Sequence, residues 1–165
     1  MSRGIRLRED RVFIPLDKRR MEIPEIHDES VFNTGDAGSS IGWISIPPGR
    51  GLVEEVERSS GSKFADENPS NATEVLEKMG RGTGLFGKIL VEESGETVKI
   101  DIDQTRFRPV CDLAWKEYPD LHHRIGCPAC SAVLCAAARI FKSPLRIHSV
   151  RKENGRIGYI LLKED

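Results

Sequence analysis

The 165 residues, 18.5 kDa in mass, suffice for one domain with a proper core, since a chain of this size withdraws about two-thirds of its unfolded surface from water. With 38% hydrophobic and 31% charged residues the chain is not wholly disordered, and a net charge of −1, from 25 basic and 26 acidic residues, offers no general field to nucleic acid. No apolar run approaches the roughly 20 residues that cross a bilayer, and no signal-peptide pattern follows Met1, so a cytoplasmic protein without membrane insertion is expected. In a reducing compartment the four cysteines point to metal, redox work or plain burial rather than to disulfides. The abundance of opposite charges suggests a surface laced with ion pairs, as in thermophilic proteins.

In chain order, residues 1–26 mix basic residues with β-prone runs such as Val12-Phe13-Ile14, cut by Pro15 and Pro24. Proline cannot donate to a central ladder, which predicts an edge strand or an extended arm. Lys18-Arg19-Arg20 reads as a solvated face rather than a nucleic-acid contact, and His27 as exposed. Residues 33–40 have loop composition, and Ile41-Gly42-Trp43-Ile44-Ser45-Ile46 alternates as a strand before Pro47-Pro48-Gly49. Residues 1–50 thus form an N-terminal β-rich arm, assigned to the same domain as the α+β body at 51–165.

A helix is predicted over 52–58, with Val53 and Val56 on its apolar side and Ser59-Ser60-Gly61 ending it through a left-handed glycine cap. The next helix starts near Ser70 or Asn71, where Asn71 and Glu74 have capping-box spacing; Val75, Leu76 and Met79 form its buried side and Gly80 stops it. The run Gly80-Arg81-Gly82-Thr83-Gly84-Leu85-Phe86-Gly87 contains a literal GxGxxG. A dinucleotide fingerprint follows a strand and opens a helix, whereas this run has the opposite context, so its glycines are read as a sharp, close-packed turn. Residues 88–93 and 97–103 form a hairpin, in which Val98, Ile100 and Ile102 face the core and Lys99, Asp101 and Asp103 face water. Asp101 and Asp103 are read as surface acids. A helix over 110–118 carries Cys111, Ala114 and Trp115 on one side and is limited by Pro119, and 121–126 is a connection. The helix 128–141 then leads to strands at 145–150, where His148 is read as structural, and at 156–162, joined through Asn154-Gly155. Helix, helix, hairpin, helix, helix, hairpin is an α+β order, with an antiparallel sheet packed on one side by helices.

Chemistry gathers at His122-His123-Arg124-Ile125-Gly126-Cys127-Pro128-Ala129-Cys130, which leads into Ser131 to Phe141, the most apolar helix of the chain. Pro128 suits the first helical position. Cys127 then falls at the cap and Cys130 in the first turn, where the positive end of the dipole favours a thiolate, while Cys135 reads as a small buried side chain. Three readings are open. The cysteines can be packing residues at a helix start. They can bind metal, zinc above all, with Cys111 and one of His122 or His123 completing a tetrahedron, since C-x-x-C is a zinc spacing. They can form a thiol redox pair, although thioredoxin-like proteins place a strand directly before the motif. Adjacent histidines point in different directions, so one at most serves the cysteine site.

The helix ending in Met79-Gly80-Arg81-Gly82-Thr83-Gly84, the hairpin through Val98-Lys99-Ile100, the helix before Cys127-Pro128-Ala129-Cys130, and the passage through Lys142-Ser143-Pro144 to a final hairpin resemble a known pattern. From about Leu52 to Leu162 the chain is similar to the vinyl-reductase-type hydrocarbon-binding domain, a relative of small vesicle-trafficking subunits. The resemblance implies a small α+β sensor module, often a homodimer, that encloses a small apolar molecule and signals through a dimer or an output-protein partner. Phe86, Phe107, Trp115, Leu134 and Phe141 are the pocket candidates, because such cavities are mostly apolar. Metal-binding members that it resembles use a cysteine at the start of the last long helix, which Cys127 matches, and cysteines in the final hairpin, where this chain has Ser149, Lys152 and Tyr159. Metal here must therefore come from Cys130, Cys111 or the histidine pair. The expected function is ligand binding without catalysis. The rival is a cysteine-based redox or zinc-dependent enzyme using Cys127 and Cys130.

Overall fold

The structure, a computed structural model, describes residues 10–16, 32–33, 41–104 and 106–164. The readings at Lys18-Arg19-Arg20, His27 and 34–40 lie outside them. The chain divides into two compact units, Met1–Pro47 and Pro48–Asp165. In the first, β1 (Val12–Pro15), β2 (Phe32–Asn33) and β3 (Gly42–Ser45) make an antiparallel sheet in the order β1-β3-β2. The strand that carries a proline lies at an edge, as its missing N–H requires.

The second unit contains α1 (Arg50–Ser60), α2 (Ala72–Thr83), β4 (Phe86–Ser94), β5 (Thr97–Gln104), α3 (Arg108–Glu117), α4 (Pro119–Arg124), α5 (Pro128–Phe141), β6 (Leu145–Glu153) and β7 (Arg156–Lys163). It is α+β: the strands form one antiparallel sheet in the order β4-β5-β7-β6, and the helices pack against it. Alternation decides which face is covered. Val98, Ile100 and Ile102 of β5 stand directly opposite Leu161, Tyr159 and Ile157 of β7, and all six are buried. Their neighbours Lys99 and Asp101 face outward and pair with each other at 3.2 Å. Asp101 also meets Arg151 at 3.8 Å, so it is a surface acid. Against the inner face lie Val53, Leu76, Met79, Val133, Ala136, Ala137 and Ile140 from α1, α2 and α5.

Three local expectations are corrected. Gly80 does not stop α2; the helix runs another turn to a left-handed cap at Gly84, and Gly80 instead lets the helix approach Phe86. The Asn71–Glu74 capping box does not form. Asn68 caps instead, its side chain accepting from the Ser70 N–H at 3.0 Å and opening a short 3-10 turn before α2. The connection after Pro119 is itself helical, because that proline ends α3 and also occupies the first turn of α4, where no N–H is needed.

By length and composition Pro119–Phe141 is apolar enough to cross a membrane, but 61% of its most apolar window is buried inside the molecule. It is also two helices, parted at Ile125, Gly126 and Cys127.

Candidate metal centre

Three helices that follow one another closely build the site. α3 turns Cys111 toward the core, and its last carbonyls are met within the chain, the Tyr118 N–H donating to the Ala114 carbonyl oxygen at 2.9 Å. One residue later α4 begins, and its buried side carries His122. The Ile125 and Gly126 N–H groups both donate to the Leu121 carbonyl oxygen at 2.9 Å, which closes α4 and turns the chain back. Gly126 makes that turn with φ +75°, and a Cβ there would stand 3.1 Å from the Ser131 nitrogen and 3.2 Å from the Cys130 Cβ. Conformation and space both call for glycine. Cys127 is then the N-cap of α5, Pro128 its first residue, and Cys130 lies in the first turn.

The Sγ atoms of Cys111, Cys127 and Cys130 and a ring nitrogen of His122 all lie within 4.8 Å of one another. Cys111 Sγ and His122 Nε2 are in direct contact, at 3.1 Å. All four side chains are 0% exposed. A tetrahedral zinc ion with ordinary Zn–S and Zn–N lengths holds its donors about 3.5–3.8 Å apart, so the widest separations would have to close and the Cys111–His122 contact to open slightly, and the group could hold a metal ion.

The electrostatics agree with the placement. Hydrogen bonding with Cys111 and then Cys130 pushes the Cys127 thiol far down, against the opposing effect of burial, with His122 and the Cys130 backbone N–H adding to it. The same sulfur contacts, with burial, push Cys130 up. Thiolate character is therefore concentrated on Cys127, the sulfur at the positive end of α5. Among the described residues two buried side-chain polar atoms have no hydrogen-bond partner within normal distance and angle, His122 Nδ1 and Tyr159 Oη.

The other residues singled out from sequence fall elsewhere. His123 is exposed, and its ring centroid is 6.1 Å from that of Trp115. Successive helix positions diverge by about 100°, so the site takes one histidine of the pair. Cys135 is half-buried rather than buried, and His148 is exposed at a bulge between Ile147 and Ser149 rather than structural. Trp115 stands beside the Cys/His cluster, its ring centroid 5.0 Å from that of His122. Lys152 Nζ lies over the same ring, 5.9 Å from its centroid, and is paired with Asp112, whose carboxyl it holds below the usual range. Phe86 and Phe141 are buried in the core, and Phe107, Trp115 and Leu134 pack half-buried against it, so all five apolar candidates belong to one packed core. The C-x-x-C motif is preceded by α4 and a turn, not by the strand of a thioredoxin-like site.

Tyr159 enters the sequence reading only as a residue that is no metal ligand. The signal that could have found it is a tyrosine on the core-facing side of a strand, between Ile157 and Leu161, because a buried phenol requires a partner.

Comparisons with protein-family models, with curated proteins and with solved structures found no match.

Proposed function

We propose that the Pro48–Asp165 unit is a zinc-binding domain, in which Cys111, His122, Cys127 and Cys130 hold one ion that ties α3, α4 and the start of α5 together. The observation that carries this reading is the convergence of three thiols and an imidazole from three helices, all fully buried and within 4.8 Å. A soft S₃N set selects zinc over hard cations, and four protein donors fill a tetrahedron. No position then remains for water or substrate, so the ion's role is structural rather than catalytic. The rival reading, a dithiol exchanging with other thiols, needs an attacking sulfur that a partner can reach, and Cys127 and Cys130 are 0% exposed.

Elemental analysis and thiol titration of the full chain, purified without added metal, test this. About one zinc per chain is expected, with the cluster sulfurs unreactive until a chelator removes it. C127S, C130S and H122A are expected to lose the ion, and H123A to retain it. Metal-free protein in which Cys127 and Cys130 cycle between dithiol and disulfide would establish the redox reading instead. Metal-free protein with inert thiols would reduce the cluster to packing.

A further inference from the structure

Gly49, where the chain enters the second unit, meets α5 backbone to backbone. Its N–H donates to the Ser131 hydroxyl oxygen at 3.2 Å, and both residues are buried. A Cβ on Gly49 would stand 2.0 Å from the Ala132 nitrogen and 2.4 Å from the Ala132 Cα. No side chain lies between the two backbones to absorb a displacement, so a shift of one is passed to the other. The Gly49 carbonyl oxygen accepts from the Leu52 and Val53 N–H groups, at 3.1 and 3.2 Å, and opens α1. On the α5 side, the Ser131 N–H donates to the Cys127 carbonyl oxygen at 2.8 Å, the first hydrogen bond of that helix. Hydrogen bonds thus lead without a break from Cys127 to Ser131, from Ser131 to Gly49, and from Gly49 into α1.

We infer that metal occupancy controls the joint at Gly49: the ion holds the first turn of α5, that turn holds Gly49, and loss of the ion releases it. This rests on the zinc reading and names what the ion regulates. The first turn of a helix opens readily, because its N–H groups lack intrahelical partners. An ion bound to Cys127 and Cys130 together closes that turn at both its ends. The turn is the element with two states, and the ion and Gly49 both bias it toward the closed one. Linkage makes the effect reciprocal, so a seated Gly49 favours the loaded site. The far half of α1 is fastened separately to α5, Arg139 Nη1 donating to Glu57 Oε2 at 2.5 Å, which confines the release to the start of α1. Gly49 follows Pro47 and Pro48, where the first unit gives way to the second, so the ion sets how firmly the incoming chain is anchored.

The test is amide hydrogen exchange of the full chain, zinc-loaded and after chelation, in the wild type and in S131A. The variant keeps the helix and removes only the acceptor of the Gly49 N–H. In the wild type, chelation is expected to speed exchange at Gly49 and Leu52 by about tenfold, as loss of a local hydrogen bond does. The Gly61 N–H, bonded to the Glu57 carbonyl oxygen at the far end of α1, should keep its rate, as should Val98 in the sheet. In S131A held in excess zinc, Gly49 should already exchange at the fast rate, with little added by chelation. Exchange at Gly49 that ignores chelation in a zinc-loaded wild type would overturn the inference and leave the metal site standing. So would an equal acceleration in S131A, or one that extends to Val98. A wild-type protein that holds no zinc would overturn the zinc reading, and the inference with it.

Discussion

Two glycines with almost the same backbone show how much of a residue's importance lies in its surroundings. Gly61 caps α1 at φ +71° with nothing within 4 Å of where a Cβ would stand, and Gly126 turns the chain into α5 at φ +75° against the Ser131 nitrogen and the Cys130 Cβ. G61A should therefore cost only left-handed strain, about 1 kcal/mol. G126A adds tight contacts with the Ser131 nitrogen and the Cys130 Cβ, which would have to shift by a few tenths of an ångström, so a larger loss of about 2–4 kcal/mol is expected. Urea unfolding of both variants measures the difference. If the cluster holds zinc as proposed, G126A should also weaken its retention, since it displaces the two cysteines on either side of Pro128; equal losses for both glycines would mean that the turn before α5 is not tight. The role of Gly61 was legible in the sequence and that of Gly126 was not. Gly61 follows an amphipathic helix and announces its cap, whereas Gly126 carries no sign of the two atoms beside it. His122 and His123 posed the same difficulty. Side by side, they are equivalent until a helix is known to pass through them.

Among the elements, legibility followed the strength of the periodic signal. β5 alternates strictly from Val98 to Asp103, and β6 and β7 flank an Asn-Gly turn, with Asn154 itself at φ +49°, so both hairpins were readable. α4 is a helix of 6 residues, too short for a 3.6-residue period to register, and its first proline also marks the end of α3. The elongation of α2 past Gly80 reflects packing against Phe86, a contact that no local propensity encodes. The outer edge of the large sheet was hidden for a similar reason. β4 is an edge strand, and Thr73 of α2 serves as a partner for it: Thr73 Oγ1 accepts from the Val91 N–H at 3.0 Å and donates to the Val91 carbonyl at 3.1 Å. One side chain thereby satisfies two backbone groups and covers part of an open edge. T73V retains the shape and removes both bonds, and the expected loss is about 1–3 kcal/mol in thermal or urea unfolding. A neutral result would show that water replaces the hydroxyl there. Elsewhere a largely buried ion pair holds α1 to α5, with Arg139 Nη1 donating to Glu57 Oε2 at 2.5 Å while Glu57 Oε1 accepts from the Phe64 N–H.

At the scale of the whole molecule, every residue of the large core lies after Pro48, and among the described residues before it Ile44 is the buried large apolar side chain. The α+β class was legible because element order alone specifies it. The convergence of the four donors was legible only in part, because C-x-x-C shows two of them and the approach of Cys111 depends on how α3 and α4 fold back. The arrangement has a kinetic consequence. All four donors lie between Cys111 and Cys130, a stretch that enters from β5 and returns, through α5 and β6, to β7, the direct neighbour of β5 in the sheet. An ion held there would cross-link a local segment, and the long-range pairing of β5 with β7 does not run through it. Opening of that segment need not open the sheet. Chelation should accelerate amide hydrogen exchange in α3, α4 and the first turn of α5, while Val98, Ile100, Ile157 and Leu161 remain protected. Simultaneous loss of protection in both regions would show instead that the ion holds one cooperative unit. If the helices alone open, the metal centre is a latch on a separable flap of the domain, able to release and re-engage while the sheet persists.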